Sequence, residues 1–288
     1  MTVDYKTNKP RHILLATDLG ARCDRALDRS IQLAQAWQAK LTLVHAFESE
    51  HDYSDQPRWR HPEDPALAIQ VALEQELGAT VLPGVSARVV RGRPAEAVLK
   101  VAEEEQADLI LTGIKRDGAF EKALLGDTVT ELARSSSVPV LVVKKRARVP
   151  YRKIVVATDL SEVSRPALAR ALDLFGPDNI VLFHAAYAHF ASRMDDRTGY
   201  ESELRSDAIK NCKEFIASVA GDGVAAQMEV LVEYGEPDLL LEKYVLDKGI
   251  DLVVVATKGR SGLLGALLGS VATRILDTVP CDVLIARS

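Results

Sequence analysis

The sequence predicts an α/β protein of two tandem doubly wound domains, each a five-stranded parallel sheet with helices on both faces. Three observations carry this. An ordered repeat runs through the chain: Arg11-His-Ile-Leu-Leu-Ala-Thr-Asp-Leu19 recurs as Arg152-Lys-Ile-Val-Val-Ala-Thr-Asp-Leu160, and Leu41-Thr-Leu-Val-His-Ala46 as Ile180-Val-Leu-Phe-His-Ala185. Later matches share one offset: Gly92 with Gly235, Asp108 with Asp251 and Gly126 with Gly269 each lie 143 residues apart, which marks a duplication. Within each copy, short β-branched apolar runs alternate with segments of helical periodicity, the pattern of a parallel sheet. Finally, Leu252 to Ala256 is an apolar run followed by a polar, glycine-rich stretch, Thr257 to Gly265, and then by Val271, Ile275 and Leu276 at helical spacing.

In the first copy, Ile13 to Thr17 reads as a buried strand, and Cys23, Leu27, Ile31 and Ala34 mark one face of a helix. Leu41 to Ala46 is the second strand, Pro65 to Leu77 a second helix and Ala87 to Val90 a third strand. Ala95 to Glu104 is a helix with Val98, Val101 and Ala102 inward. Leu109 to Leu111, Val129 to Arg134 and Val140 to Val143 supply the fourth strand, last helix and last strand. The second copy repeats this, with the polar segment Ser192 to Gly199 expected as a loop ahead of its second helix. The basic, proline-ended stretch Lys144 to Pro150 places the boundary, giving domains 1–147 and 148–288.

Bulk properties narrow the function classes. At 288 residues, two domains are expected, and 47% hydrophobic with 27% charged residues is an ordinary globular composition. A net charge of −5 offers no clustered basic surface for nucleic acid or an anionic membrane. No apolar run reaches transmembrane length, and residues before Ile13 lack the apolar core of a signal peptide, so the expected compartment is the cytoplasm. Cys23, Cys212 and Cys281 are odd in number and far apart, which suggests free, packed thiols rather than a disulfide framework or a zinc site.

The stretch from Asp251 to Ser270 carries the chemistry. Glycines let backbone N–H groups approach an anion, and a helix N-terminus adds donors and a favourable dipole, so a strand–loop–helix of this kind suits a triphosphate. It also suits a tight connection with no ligand. The spacing Ala256-x-x-Gly259, nine residues, then Gly269-Ser270 resembles the nucleotide-binding signature of the universal stress protein family, Gly-x-x-Gly-x9-Gly-Ser/Thr. Three of its four positions are kept; Ala256 departs, its methyl either tolerated or crowding the phosphates. The resemblance extends over nearly the whole chain and implies strand order 3-2-1-4-5, with the reversal between the first and fourth strands. It further implies that Asp159 contacts the nucleoside end of ATP or its associated metal, Mg2+. Ala185, after the second-strand histidine, would meet adenine through its backbone. The competing role for Asp159 is a helix N-terminal cap, a task for which Ser161 and Ser164 are also available. Lys258 and Ser261 either add a charge and a hydroxyl to the phosphates or face solvent.

The first copy keeps Asp18, His45, Ala46 and Gly113, but Arg116 stands at the second glycine position and Asp127 replaces the hydroxyl after Gly126. A carboxylate at a helix N-terminus occupies the place of an anion and repels it. ATP is therefore expected in the second copy, while the first has lost it or holds a different small molecule. Histidines 45, 51, 61, 184 and 189 form no helical pair with a carboxylate and read as structural, and no metal site is assigned. No nucleophile elbow or Walker loop occurs.

These readings point to a stress-response module in which ATP, bridging Asp159 on one side and Gly259, Gly269 and Ser270 on the other, orders the Thr257 to Leu268 loop for an unidentified protein partner. The competing classes are a slow ATPase in the same pocket and a scaffold that binds no nucleotide. Single-domain members of the resembled family dimerise through their last strand, so the two copies are expected to form an internal pseudo-dimer, with a further homodimer left open.

Overall fold

The structure is a computed structural model. It describes residues 5–18, 23–47, 67, 69–71, 73, 84–114, 126–186, 197–257 and 268–287, with backbone only for 197–203. Contacts divide the chain into two compact units, Pro10–Arg148 and Val149–Ser288, the second joined by the described part of Met1–Lys9.

In the first unit, strands β1 (His12–Thr17), β2 (Lys40–Phe47), β3 (Val85–Arg91), β4 (Leu109–Gly113) and β5 (Val140–Val143) alternate with helices α1 (Asp24–Trp37), α2 (Pro94–Glu104) and α3 (Asp127–Ser135). The strands are ordered β3-β2-β1-β4-β5, every pair parallel. The segment 65–77 is described at five residues only, and these are helical.

The second unit repeats the plan. Its strands are β6 (Ile154–Thr158), β7 (Ile180–Ala186), β8 (Glu229–Tyr234), β9 (Leu252–Ala256) and β10 (Asp282–Ala286). Its helices are α4 (Arg165–Phe175), α5 (Arg197–Ala220), α6 (Asp222–Gln227), α7 (Pro237–Lys248) and α8 (Ser270–Thr278). The order is β8-β7-β6-β9-β10, again parallel throughout. Both units thus have the order 3-2-1-4-5 in their own numbering, and each reverses between its first and fourth strands, where doubly wound sheets open a crevice at the carboxyl ends.

The core follows from strand composition. Ile13, Leu14, Ile110 and Leu111 in the first unit, and Val155, Val156, Val253 and Val254 in the second, are wholly buried. Continuous burial along a strand is what helices on both faces of a parallel sheet impose. Helices contribute buried stripes such as Val98, Val101 and Ala102 on α2 and Ile275 and Leu276 on α8.

Three expectations are corrected. The buried face of α1 is Ala26, Arg29, Ser30, Leu33 and Ala34, while Cys23, Leu27 and Ile31 are only half-buried. Ser30 can turn inward because its hydroxyl donates to the Leu27 carbonyl at 2.8 Å, meeting its polar demand inside its own helix. The segment Ser192 to Gly199 is already helical from Arg197; 192–196 lie outside the described residues. Residues 5–9 pack with the second unit rather than with the domain 1–147. There the Asn8 N–H donates to the Asp173 carbonyl at 2.9 Å, and the Lys9 ammonium donates to the Leu174 carbonyl in the last turn of α4. A cation at a helix C-terminus completes the last carbonyls and opposes the dipole.

Candidate functional site

The crevice of the second unit is bounded by the ends of β6, β7 and β9 and the start of α8. Past Thr158 the chain turns sharply, with Leu160 in the left-handed region at φ 61°. Such a conformation in a bulky residue costs free energy and is kept only where neighbours over-determine it. Here a relay of hydroxyls does so. The Leu160 N–H donates to Thr158 Oγ1 (2.9 Å), which donates to Ser164 Oγ (2.7 Å), which donates to the Ser161 carbonyl (2.8 Å). Asp159 Oδ1 accepts from the Ser161 N–H at 3.0 Å and from its hydroxyl at 2.5 Å. One carboxylate oxygen of Asp159 is therefore used to hold the turn.

The neighbouring strand end is built from β9, whose Ala256 is buried and lies in register with Ala286 of β10. The Thr257 N–H donates to the Ala286 carbonyl (3.1 Å), and the Gly269 N–H donates to the Thr257 carbonyl (2.8 Å). The chain leaves the sheet and returns to it at one hydrogen-bonded pinch. Gly269 is the N-cap of α8, with φ −61° and ψ 147°, and its carbonyl accepts from the Thr273 N–H at 2.9 Å and hydroxyl at 3.1 Å. Glycine has no side chain with which to cap, and the next residue, Ser270, is exposed, so the first-turn amides of α8 meet no protein acid from either position.

Ala185 stands half-buried near the end of β7, next to His184. The His184 Nδ1–H donates to the Thr158 carbonyl at 2.9 Å, and His45 Nδ1–H does the same to Thr17 at 3.0 Å in the first unit. In both units the imidazole ties the second strand to the last carbonyl of the first, a structural task. Among the described residues no cluster of His, Cys, Asp and Glu could hold a metal ion. The topology thus puts Asp159, Ala185, Ala256, Gly269 and Ser270 at one edge of one sheet. Lys258, Gly259 and Ser261 lie outside the described residues, as does Arg116 of the first copy.

The corresponding edge of the first unit differs in two ways. Asp18 sits against Cys23: its N–H lies 3.5 Å from Cys23 Sγ, and burial, followed by hydrogen bonding to the Asp18 carboxylate, pushes the thiol up to about 11. The N-cap of α3 is Gly126, whose geometry (φ −70°, ψ 157°) matches that of Gly269, but the first residue of the helix is the exposed acid Asp127.

Two features of the site escape inspection of composition. The hydroxyl relay joins Thr158 to Ser164 across a turn whose shape the sequence does not announce. The second is an exchanged ion pair: Arg93 lies 3.6 Å from Glu131 in the first unit, and at the same repeat positions Glu236 lies 3.4 Å from Arg274 in the second. Arg274 also reaches the buried Asp238 at 3.1 Å. The repeat offset was the signal that could have revealed this exchange.

A doubly wound α/β unit present twice, with a glycine-led helix at each switch point, defines the class of the molecule. The model of the Universal stress protein family matches residues 9–144 and 150–287, and the chain belongs to that family. A universal stress protein of Mycobacterium tuberculosis is 25% identical over 299 residues, covering 98% of this chain and 99% of the relative. A universal stress protein of Thermus aquaticus, encoded beside a QAH/OAS sulfhydrylase gene, is 35% identical over 133 residues, 46% of this chain and 97% of its own. Among solved structures, a functionally unknown protein from Pseudomonas aeruginosa superposes with a TM-score of 0.69 at 22% identity, covering 96% of this chain and 92% of its own. A universal stress protein from Archaeoglobus fulgidus gives 0.66 at 19% identity, covering 96% and 98%. No described helix is long and apolar enough to cross a membrane.

Proposed function

We propose that the second copy binds an adenine nucleotide, ATP, across the ends of β6, β7 and β9, and that the chain acts in the cytoplasm as a ligand-dependent stress-response module. The observation carrying this is the start of α8: Gly269 and Ser270 leave the first-turn amides clear of any acid at these positions, where the first copy has Asp127. An anion at such a terminus gains about 0.3–1 kcal/mol, more where water is excluded, and a resident carboxylate turns that gain into repulsion. The phosphates would lie against Gly269 and Ser270, with Lys258 and Gly259 in the connecting segment. The nucleoside would lie toward Asp159 and Ala185. Bound Mg2+ would neutralise phosphate charge, and the Asp159 carboxylate is the oxygen donor such a hard cation takes. Occupancy is the input, and the connection between β9 and α8 is the surface a partner reads.

Calorimetric titration of the full chain with ATP tests this. One binding event, weakened roughly tenfold or more in Ser270→Asp and also weakened in Asp159→Ala, is the expected result. Binding that survives Ser270→Asp unchanged overturns it. Phosphate release measured in the same samples separates a sensor from an ATPase: turnover abolished by Asp159→Ala would assign an enzyme.

A further inference from the structure

At the opposite edge of the sheets, the amino ends of the strands, the two units differ more sharply than at the crevice. The equivalence is fixed by one hydrogen-bond pattern: Asp108 Oδ2 accepts the N–H groups of Arg11 (2.8 Å) and His12 (3.0 Å), and Asp251 Oδ2 accepts those of Arg152 and Lys153 (both 3.0 Å). His12 therefore corresponds to Lys153. By strand register, Thr42 and Ser86 correspond to Val181 and Glu229, and by the 143-residue offset Glu105 corresponds to Lys248.

In the first unit these positions form a closed polar network. His12 Nε2 lies 2.9 Å from Thr42 Oγ1, the Thr42 hydroxyl lies 3.0 Å from both Ser86 Oγ and Glu105 Oε2, and His12 Nδ1 donates to the Glu105 carbonyl at 3.0 Å. Lys40 and Arg88 close it from outside, at 2.9 and 3.1 Å from the Glu105 carboxylate. In the second unit the network is gone. A pocket of about 650 Å³ lies there, lined by all four replacements. That volume falls within the roughly 300–1,000 Å³ of small-molecule sites.

The lining has a definite chemistry. The floor is apolar and buried: Ile154, Ile180, Met228 and Ile250. The exposed rim carries cations, Arg152 and Lys153 at the start of β6 with Lys248 at the end of α7, and acids, Asp178 before β7 and Glu229 at the start of β8. Neither the Lys248 ammonium nor the Glu229 carboxylate has an ion-pair or hydrogen-bond partner among the described residues. Lys153 is already engaged, its ammonium donating to the Lys248 carbonyl at 2.7 Å. Half-buried Tyr244 adds a phenol, raised by burial first and by the Glu229 charge second.

We infer that this pocket binds a small zwitterion with an apolar body, of the size of a free amino acid or a dipeptide. The ligand carboxylate pairs with Lys248, its ammonium with Glu229, and its side chains lie on the isoleucine and methionine floor. A plain anion would meet Glu229 and Asp178, and a plain cation would meet the three basic groups; only a ligand carrying both charges satisfies both sets of residues.

The test is calorimetric titration of the full chain with L-phenylalanine and with L-leucyl-L-leucine, each beside its N-acetyl derivative. At least one zwitterion binds, its N-acetyl form binds roughly tenfold more weakly, and Lys248→Glu and Glu229→Lys each weaken binding roughly tenfold. The double variant recovers affinity, because a zwitterion can reverse in the site. Both side chains are exposed, so an unchanged thermal midpoint verifies the fold. Lack of binding by both zwitterions, equal binding of the acetylated forms, or tighter binding after Glu229→Lys each overturns the inference. ATP affinity plays no part in this readout.

Discussion

The two copies agree where packing decides and differ where charge decides. Their strand orders, parallel registers and glycine-led last helices coincide, and even the histidine that ties the second strand to the first is repeated. The differences fall at sheet edges: Asp127 against Ser270, Asp18 beside Cys23 against Asp159 beside Ser161, and a filled polar network against a pocket. A duplicated fold keeps what its core demands, since buried apolar volume is costly to alter, while edge residues change at little cost to stability.

The largest expected effect tests whether the cores are repeated in energy as well as in shape. Leu132 of α3 and Ile275 of α8 occupy equivalent, buried positions. Leu132→Ala and Ile275→Ala should each cost about 2–5 kcal/mol in denaturant unfolding. A cost below about 1 kcal/mol for one alone would break the equivalence. Next comes the helix start. Ser270→Asp should weaken ATP binding by roughly tenfold or more, equivalent to about 1.4 kcal/mol. Asp127→Ser should leave second-copy affinity unchanged, and a fall in both titrations would show that the two edges are not independent.

A smaller effect separates the amino-end edges. Partial burial pushes the Glu105 carboxyl up, but hydrogen bonds from Lys40 and Thr42 and the charges of Lys40 and His12 outweigh it and hold the group below the usual carboxylate range. A depressed folded-state value contributes stability that is present above the unfolded-state value, about 4.3, and is lost as pH falls through the folded value. Acid titration of thermal stability should show this loss in the wild type, and Glu105→Gln should flatten it. The second unit has Lys248 at that position and supplies no matching transition. Smallest is the exchanged ion pair. Arg93→Glu or Glu131→Arg alone should cost no more than about 1 kcal/mol, and the double variant, carrying the arrangement of the second copy, should recover most of it in a double-mutant cycle.

Much of the fold was legible because its strands are continuous apolar runs: Leu252 to Ala256 reads as a buried strand and is one. The inward face of α1 was not, since Arg29 and Ser30 are buried there and polar residues do not register in a hydrophobic pattern. The motif placed Ala256, Gly269 and Ser270 at a strand end and a helix start, because glycine and apolar runs carry local conformational meaning. The hydroxyl relay behind Asp159 and the amino-end pocket were illegible for different reasons. The relay of Thr158 and Ser164 depends on the shape of one local turn. The pocket depends on distant residues such as Glu229 and Lys248 that only the packing of β6, β7, β8 and α7 brings together.

The pinch between Thr257 and Gly269 has an evolutionary corollary. When the two ends of a connection are held together by an amide-to-carbonyl contact, lengthening what lies between them adds only the slow logarithmic penalty of a larger ring, about 0.6 kcal/mol per doubling. Natural selection can therefore lengthen or rewrite the sequence between these two residues at little cost to the sheet.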